Sequence, residues 1–192
     1  MKLLRLIAAF AVALLSSIST FAQRGLPHGL ASHEADLIRA YRDSRASDDR
    51  GVTTPPPFAP RTMAEWEEVQ TLCVSWISFP SILKQIVRYA KEECQVLILC
   101  SSSGSNSQAS ISSYLLASNA GGPALANLNN ISFLVTPYNS IWMRDYGAEC
   151  IYQNEVDSLY LLDWIYNRPR PNDDVSPDAI GTFKNKAVYS TT

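Results

Sequence analysis

The chain has 192 residues, of which 46% are hydrophobic and 18% charged, and its formal net charge is −2. That apolar content is enough for one domain with a proper core. The near-neutral balance suggests neither nucleic acid nor an anionic membrane as a partner.

Residues 1–22, "MKLLRLIAAFAVALLSSISTFA", have the three parts of a secretory signal. Lys2 and Arg5 supply the positive start, and 6–15 form an apolar core too short to cross a bilayer comfortably. Thr20-Phe21-Ala22 puts small residues at the −3 and −1 positions, so cleavage is expected before Gln23. An uncleaved anchor is the alternative. The expected product is periplasmic or secreted, and losing Lys2 and Arg5 takes its charge from −2 to −4. No Cys lies near the cleavage point, which argues against a lipid anchor.

Export permits disulfides, and Cys73, Cys94, Cys100 and Cys150 can pair in three ways, none selected by spacing. Cys73 and Cys100 fall in apolar runs, where a Cys is more often a small buried hydrophobe than a ligand. Cys94-x5-Cys100 lacks a tight metal-binding spacing, and His28 and His33 lie far upstream. No metal and no cofactor is expected.

The segment 23–62 is polar, ends in "TTPPPFAPRT" and reads as a helix-free, disordered tether or a wrap-around arm. The globular pattern runs over 63–192. "TLCVSWISF", 71–79, has the β-branched and aromatic content of a strand. In 81–94 the apolar residues Ile82, Leu83, Ile86, Val87 and Ala90 recur at steps that predict an amphipathic helix. "QVLILC" follows as a strand apolar enough to be buried on both faces, which completes a βαβ-like unit. The Ser/Asn/Gly run "SSSGSNSQ" has no phosphate-loop signature and reads as a solvated linker before a weaker helix at 109–118. "ISFLV", 131–135, gives another short strand. Two more candidates, 148–153 and 158–166, flank the polar turn "NEVD" as a hairpin, and "NRPRPNDDVSPDAIG" reads as a Pro-rich loop. The class is α/β, with no heptad or solenoid repeat.

Just past "ISFLV" lies "NSIWMRDYGAECIY", where an acid sits between an indole and a Tyr-Gly step. Residues beyond a strand's end are held rigidly by the sheet yet exposed by the loop, a usual address for function. In extended backbone Arg144 and Asp145 point to opposite sides and do not neutralise each other. Gly147 lets backbone or ligand approach closely. An aspartate facing a half-buried aromatic pocket suits a planar cation, above all a guanidinium, which a carboxylate binds through two parallel hydrogen bonds. Trp142 can cover the ligand's stem or π face. The competing reading is structural: Asp145 caps a turn and Trp142 packs in the core.

"AEWEEVQTLCVSW", "WMRDYG" and "DWIYNRPRPNDD", in that order and spacing, resemble the bacterial (Porphyromonas-type) peptidylarginine deiminase and agmatine deiminase family. The resemblance covers 63–180, and its most specific element is Trp142-x-Arg144-Asp145-x-Gly147 followed by Asp163-Trp164 and Asn167. It implies part of a five-bladed α/β-propeller built of ββαβ-type modules around a central site. It also implies hydrolysis of a guanidine to a urea with loss of ammonia. A Cys thiolate attacks the guanidinium carbon, water hydrolyses the thiouronium, a His serves as acid and base, and two Asp hold the substrate. On the motif match Asp145 is the first of those carboxylates and Trp142 lines the pocket. Arg168 and Arg170, alternating on an extended loop, suit the carboxylate of a peptide ending in arginine, which agmatine lacks. Otherwise they are solvated arginines balancing Asp173 and Asp174.

The resemblance also implies a His-x-Asp pair, an Asn and a late Cys that have no counterpart after Asp145. Both histidines precede it, and Cys150 lies five residues on, where it reads as a core thiol rather than a nucleophile. The expectation is therefore the front part of an exported deiminase acting on peptidyl arginine, inactive and aggregation-prone as it stands. Agmatine deiminase is the alternative within the class, and a non-catalytic secreted guanidinium-binding module the alternative outside it. No partner beyond a guanidino substrate is implied.

Overall fold

Strand β2 (Thr71–Ser75), helix α2 (Pro80–Glu93) and strand β3 (Gln95–Cys100) form the βαβ unit expected from the sequence, with β2 and β3 parallel. This is a computed structural model, and it describes residues 32–45, 51–153, 158–166 and 168–190. The segment 1–22, the turn 154–157 and Asn167 lie outside the described residues. The chain divides into two units, 1–39 and 40–192. All that follows belongs to the second, apart from the first turns of helix α1 (Ser32–Arg45).

β2 is shorter than expected. It stops at Ser75, one further bond runs from Trp76 N to Leu99 O (3.0 Å), and Phe79 turns left-handed (φ 55°) before Pro80 starts α2. A proline in the first turn costs no helical bond, so "FPS" works as a strand-to-helix joint. Strand β4 (Ile131–Val135) pairs parallel with β3, after a 3₁₀ turn and helix α3 (Gln108–Leu116).

In β3, Val96 to Cys100 are buried on both faces. Val96, Ile98 and Cys100 face α2 and α3, where they pack with Val87, Ile111 and Leu115. Leu97 and Leu99 face a second sheet and meet Leu161, Ile180 and Val188. Each such side chain contributes about 1.5–3 kcal/mol by leaving water. One cation is built into the helical layer. Lys84 is fully buried, and its amine donates to Ala117 O (2.5 Å) at the end of α3, and to Gly122 O (3.2 Å) and Asn119 Oδ1 (3.3 Å) in the next loop.

The second sheet has the order β1-β5-β6-β7, from Arg61–Thr62, Glu149–Tyr152, Leu159–Asp163 and Val188–Ser190. β5 and β6 are antiparallel, as the hairpin reading requires, and β7 returns parallel to β6. The end of the arm is part of this sheet. β1 pairs with β5, Val52 N donates to Val188 O (2.8 Å), and Phe58 lies 5.1 Å from the Tyr160 ring. Of the two readings of the arm, 51–62 follow the wrap-around one.

Two expectations are corrected. The arm holds α1, because Pro27 and Pro55 flank that stretch rather than occupy it. The tail read as a Pro-rich loop forms helices α5 (Pro171–Asp174) and α6 (Ser176–Lys184). Pro171 and Pro177 each stand in a first turn, where their fixed φ favours the helix. The α/β class holds, as two sheets with helices. Among the described residues the two sheets form no closed ring, and they establish the α/β class, not the propeller.

Candidate functional site

The run that carries the motif leaves β4 and is tied down before it reaches Trp142. Tyr138 donates its hydroxyl to Trp76 O (2.8 Å). Ser140 O accepts from Ser75 Oγ and from the Tyr146 hydroxyl, both at 2.9 Å. On the other side, the fully buried Asp173 accepts from Asn139 N (2.7 Å), Ser140 N (3.0 Å) and Ser140 Oγ (2.7 Å). Asn139 Oδ1 accepts in turn from Asn172 N (3.0 Å). Ser140 thus uses its amide, hydroxyl and carbonyl to bind β2, the motif's own Tyr146 and α5.

After this knot, helix α4 (Met143–Tyr146) makes a single turn. Arg144 and Asp145 therefore do not alternate across an extended backbone, which corrects the sequence reading. Consecutive helical residues diverge by about 100°, and both side chains reach solvent. Gly147 serves this turn rather than a ligand. Its N–H donates to Met143 O (2.8 Å), and a Cβ there would lie 2.5 Å from that oxygen.

Asp145 is exposed and its carboxylate makes no hydrogen bond or ion pair with the described residues. Trp142 is 53% exposed. Asp145 therefore does not cap the turn, and Trp142 does not pack in the core. The dry, enclosed aromatic pocket is equally absent among the described residues. A cavity of about 560 Å³ opens beside the motif, but Arg144 and Gly147 line it, together with Cys73, Met143, Cys150 and Ile180, whereas Trp142 and Asp145 do not.

The second motif arrives from β6. Asp163 is buried, and Tyr166, buried too, meets Tyr146 edge-on at 5.8 Å and Trp164 at 6.4 Å. The amide of Tyr166 donates to Asp174 Oδ1 (2.7 Å), and Asp174 Oδ2 accepts from the Tyr41 hydroxyl (3.2 Å). Arg168 is exposed and Arg170 half-buried. The loop is not extended there, because Arg170 N bonds back to Arg168 O (2.7 Å) before α5 begins.

Electrostatics show the two motifs converging. Burial pushes the Tyr166 phenol up. Arg170 acts against that, Asp145 and Asp173 add to it, and Arg168 opposes it more weakly. Tyr166 therefore lies within the field of both sets of predicted site residues. Burial also raises the Tyr146 phenol, well beyond its ordinary value.

The thiols of Cys73, Cys100 and Cys150 are not prepared for attack on a guanidinium. Burial pushes Cys73 up to about 11 and also raises Cys100 and Cys150, the last helped by Glu149. A nucleophilic Cys needs the opposite shift. The described cysteines are all free. Among the described residues no cluster of three or more His, Cys, Asp or Glu is arranged to hold a metal ion.

Sequence reasoning missed Ser140, Tyr146, Tyr166 and Asp173. The motif run did contain Ser140 and Tyr146, and "NDD" contained the acid. Nothing in the spacing joins them, since Asp173 and Asn139 are 34 positions apart.

No protein-family model matches the chain. Among solved structures it is similar to a provisionally named peptidyl-arginine deiminase, with a TM-score of 0.53 and 17% identity over 69% of this chain and 40% of that one. It is also similar to C. jejuni agmatine deiminase, with a TM-score of 0.52 and 19% identity over 70% of this chain and 40% of that one. A substrate-bound Cys-to-Ser variant of the C. jejuni enzyme superimposes equally well, with a TM-score of 0.52 and 18% identity. The chain thus spans about 40% of the length of these structures, and over that span it has the α/β fold of deiminases.

Proposed function

We propose that this chain supplies the guanidinium-holding part of a hydrolase that converts peptidyl arginine to citrulline and ammonia. The observation that carries the reading is the exposed Asp145 carboxylate, without a hydrogen-bond or ion-pair partner among the described residues, next to Trp142 on a rigidly tied turn. A carboxylate held in this way has no competing protein bond to break and can take a guanidinium through two parallel bonds. Alone it holds that cation weakly, because an exposed ion pair is worth about 0–1 kcal/mol. The fold shared with deiminase structures supports the reaction class.

In this reading Asp145 orients the guanidinium and stabilises its charge while a thiolate attacks the central carbon. Ammonia then leaves, and water replaces sulfur to give the urea. The raised thiols of this chain are not that nucleophile. The thiolate and its acid–base partner come from outside the described residues. Arg168 and Arg170 favour a substrate ending in a carboxylate. Agmatine remains the second substrate reading, favoured by the equal likeness to the C. jejuni enzyme. Export by the signal at 1–22 belongs to the same proposal.

The test is citrulline formation from a peptide ending in arginine by the natural gene product that carries this sequence, run beside agmatine. Loss of turnover in Asp145→Ala is expected. Full activity in that variant would remove the role given to Asp145.

A further inference from the structure

We propose that Asp173 and Asp174 are positioning residues that rivet the two motifs into one substrate frame. Asp173 in particular fixes the distance between the group that holds a guanidinium and the groups that hold a carboxylate. The inference rests on the functional reading above and adds a determinant of specificity to it.

The two acids are neighbours on the single turn of α5, and both are almost fully buried, at 0% and 1% exposure. Their bonds run in different directions. All three bonds of Asp173 go to Asn139 and Ser140, just before Trp142. Asp174 takes the amide of Tyr166, two residues before Arg168. Between these grips the Tyr146 and Tyr166 rings meet edge to face. One rigid turn therefore holds the root of the Asp145 loop and the root of the Arg168–Arg170 loop.

A buried carboxylate is a costly fastener, tolerated only when hydrogen bonds replace its water. In return it gives charge-assisted bonds, shorter and roughly twice as strong as neutral ones. Small misplacement of substrate-holding groups lowers rates steeply, so a stiff frame has a catalytic use. A substrate that spans both loops, such as a peptide ending in arginine, depends on their spacing. Agmatine, which offers a guanidinium but no carboxylate, depends on the Asp145 side alone.

The experiment compares kcat/KM for a peptide ending in arginine with that for agmatine, in the natural gene product and its Asp173→Ala variant. Amide hydrogen exchange is followed in parallel. The ratio of the two rates should fall at least fivefold, with agmatine turnover less affected. Exchange over 139–147 should accelerate about tenfold while β3 stays protected. Asp173→Asn keeps an oxygen that can accept from both backbone amides and should restore most of the ratio. Should Asp173→Ala fail to fold, Ser140→Ala keeps both amide bonds to Asp173, deletes the hydroxyl's bond to it and a longer one accepted from Trp142 N (3.4 Å), and should lower the ratio two- to fivefold. Turnover with an unchanged ratio, or unchanged exchange over 139–147, would overturn the rivet alone. Absence of turnover by the parent on either substrate would overturn the functional reading, and the specificity role with it.

Discussion

The β2–β3–β4 module and the motif region are held together by different means. The module is an apolar sandwich layer: five consecutive residues of β3 are buried and face Val87, Ile111 and Leu115 on one side and Leu161 and Ile180 on the other. The motif region is fastened by polar bonds, chiefly those of Ser140 and Asp173, and turns Trp142, Arg144 and Asp145 outward. Hydrophobic burial fixes the layer without directional demands, so it tolerates exchange of one apolar group for another. Directional bonds are what place a carboxylate to within a fraction of an ångström. Stability and positioning are thus assigned to different residues.

That division can be broken from the apolar side first. Ile98→Ala removes a fully buried side chain from the central strand and should cost about 2–5 kcal/mol in urea unfolding. Any protein that remains folded should keep the exposed environment of Trp142. A cost below 1 kcal/mol would mean that the module does not carry the stability.

The next largest effect is alkaline. The native fold holds Cys73 at about 11 against 9.0 unperturbed, so the folded state binds that proton more tightly. Its contribution is complete below pH 9 and is lost as pH rises through 11, worth about 3 kcal/mol. Cys100 and Cys150 act with the same sign. Unfolding free energies of Cys73→Ala should therefore decline less over that window than those of the parent, and parallel declines would contradict the assignment.

Gly147→Ala tests the polar side. A methyl placed 2.5 Å from Met143 O must open the α4 turn, at about 1–3 kcal/mol. Near-UV circular dichroism should report an altered Trp142 setting, whereas an unchanged spectrum and melting point would show that the turn is soft. The smallest expected stability effect is that of Asp145→Ala, within about 0.5 kcal/mol, because the side chain has no hydrogen-bond or ion-pair partner among the described residues.

The same contrast explains what could be read in advance. "QVLILC" and "ISFLV" are runs whose apolar content is their structure, and both strands fall where the pattern puts them. Helix α2 was legible too, but its buried face was not: Ile82 and Ile86 of the apolar stripe are exposed, whereas Lys84 and Lys91 are buried. The tail was not legible, because Pro171 and Pro177 read as breakers along the sequence, whereas each sits at a helix start. The α4 turn was not legible either, since four residues carry no period. Asp145 and Trp142 could be singled out because an acid next to an indole is conspicuous in a chain so poor in charge. The bonds that hold them could not, because a serine and an aspartate 33 positions apart become partners only in the folded chain.

The most direct test of the central claim is a titration of the ¹⁵N-labelled chain with agmatine and with a peptide ending in arginine, followed through its indole N–H signals. Binding at Asp145 should move the Trp142 resonance and leave that of the 89%-exposed Trp66 in place. Asp145→Asn should abolish the response, and the peptide should bind more tightly than agmatine. A Trp142 signal that stays fixed at saturating guanidine, or that moves equally in Asp145→Asn, would contradict the account.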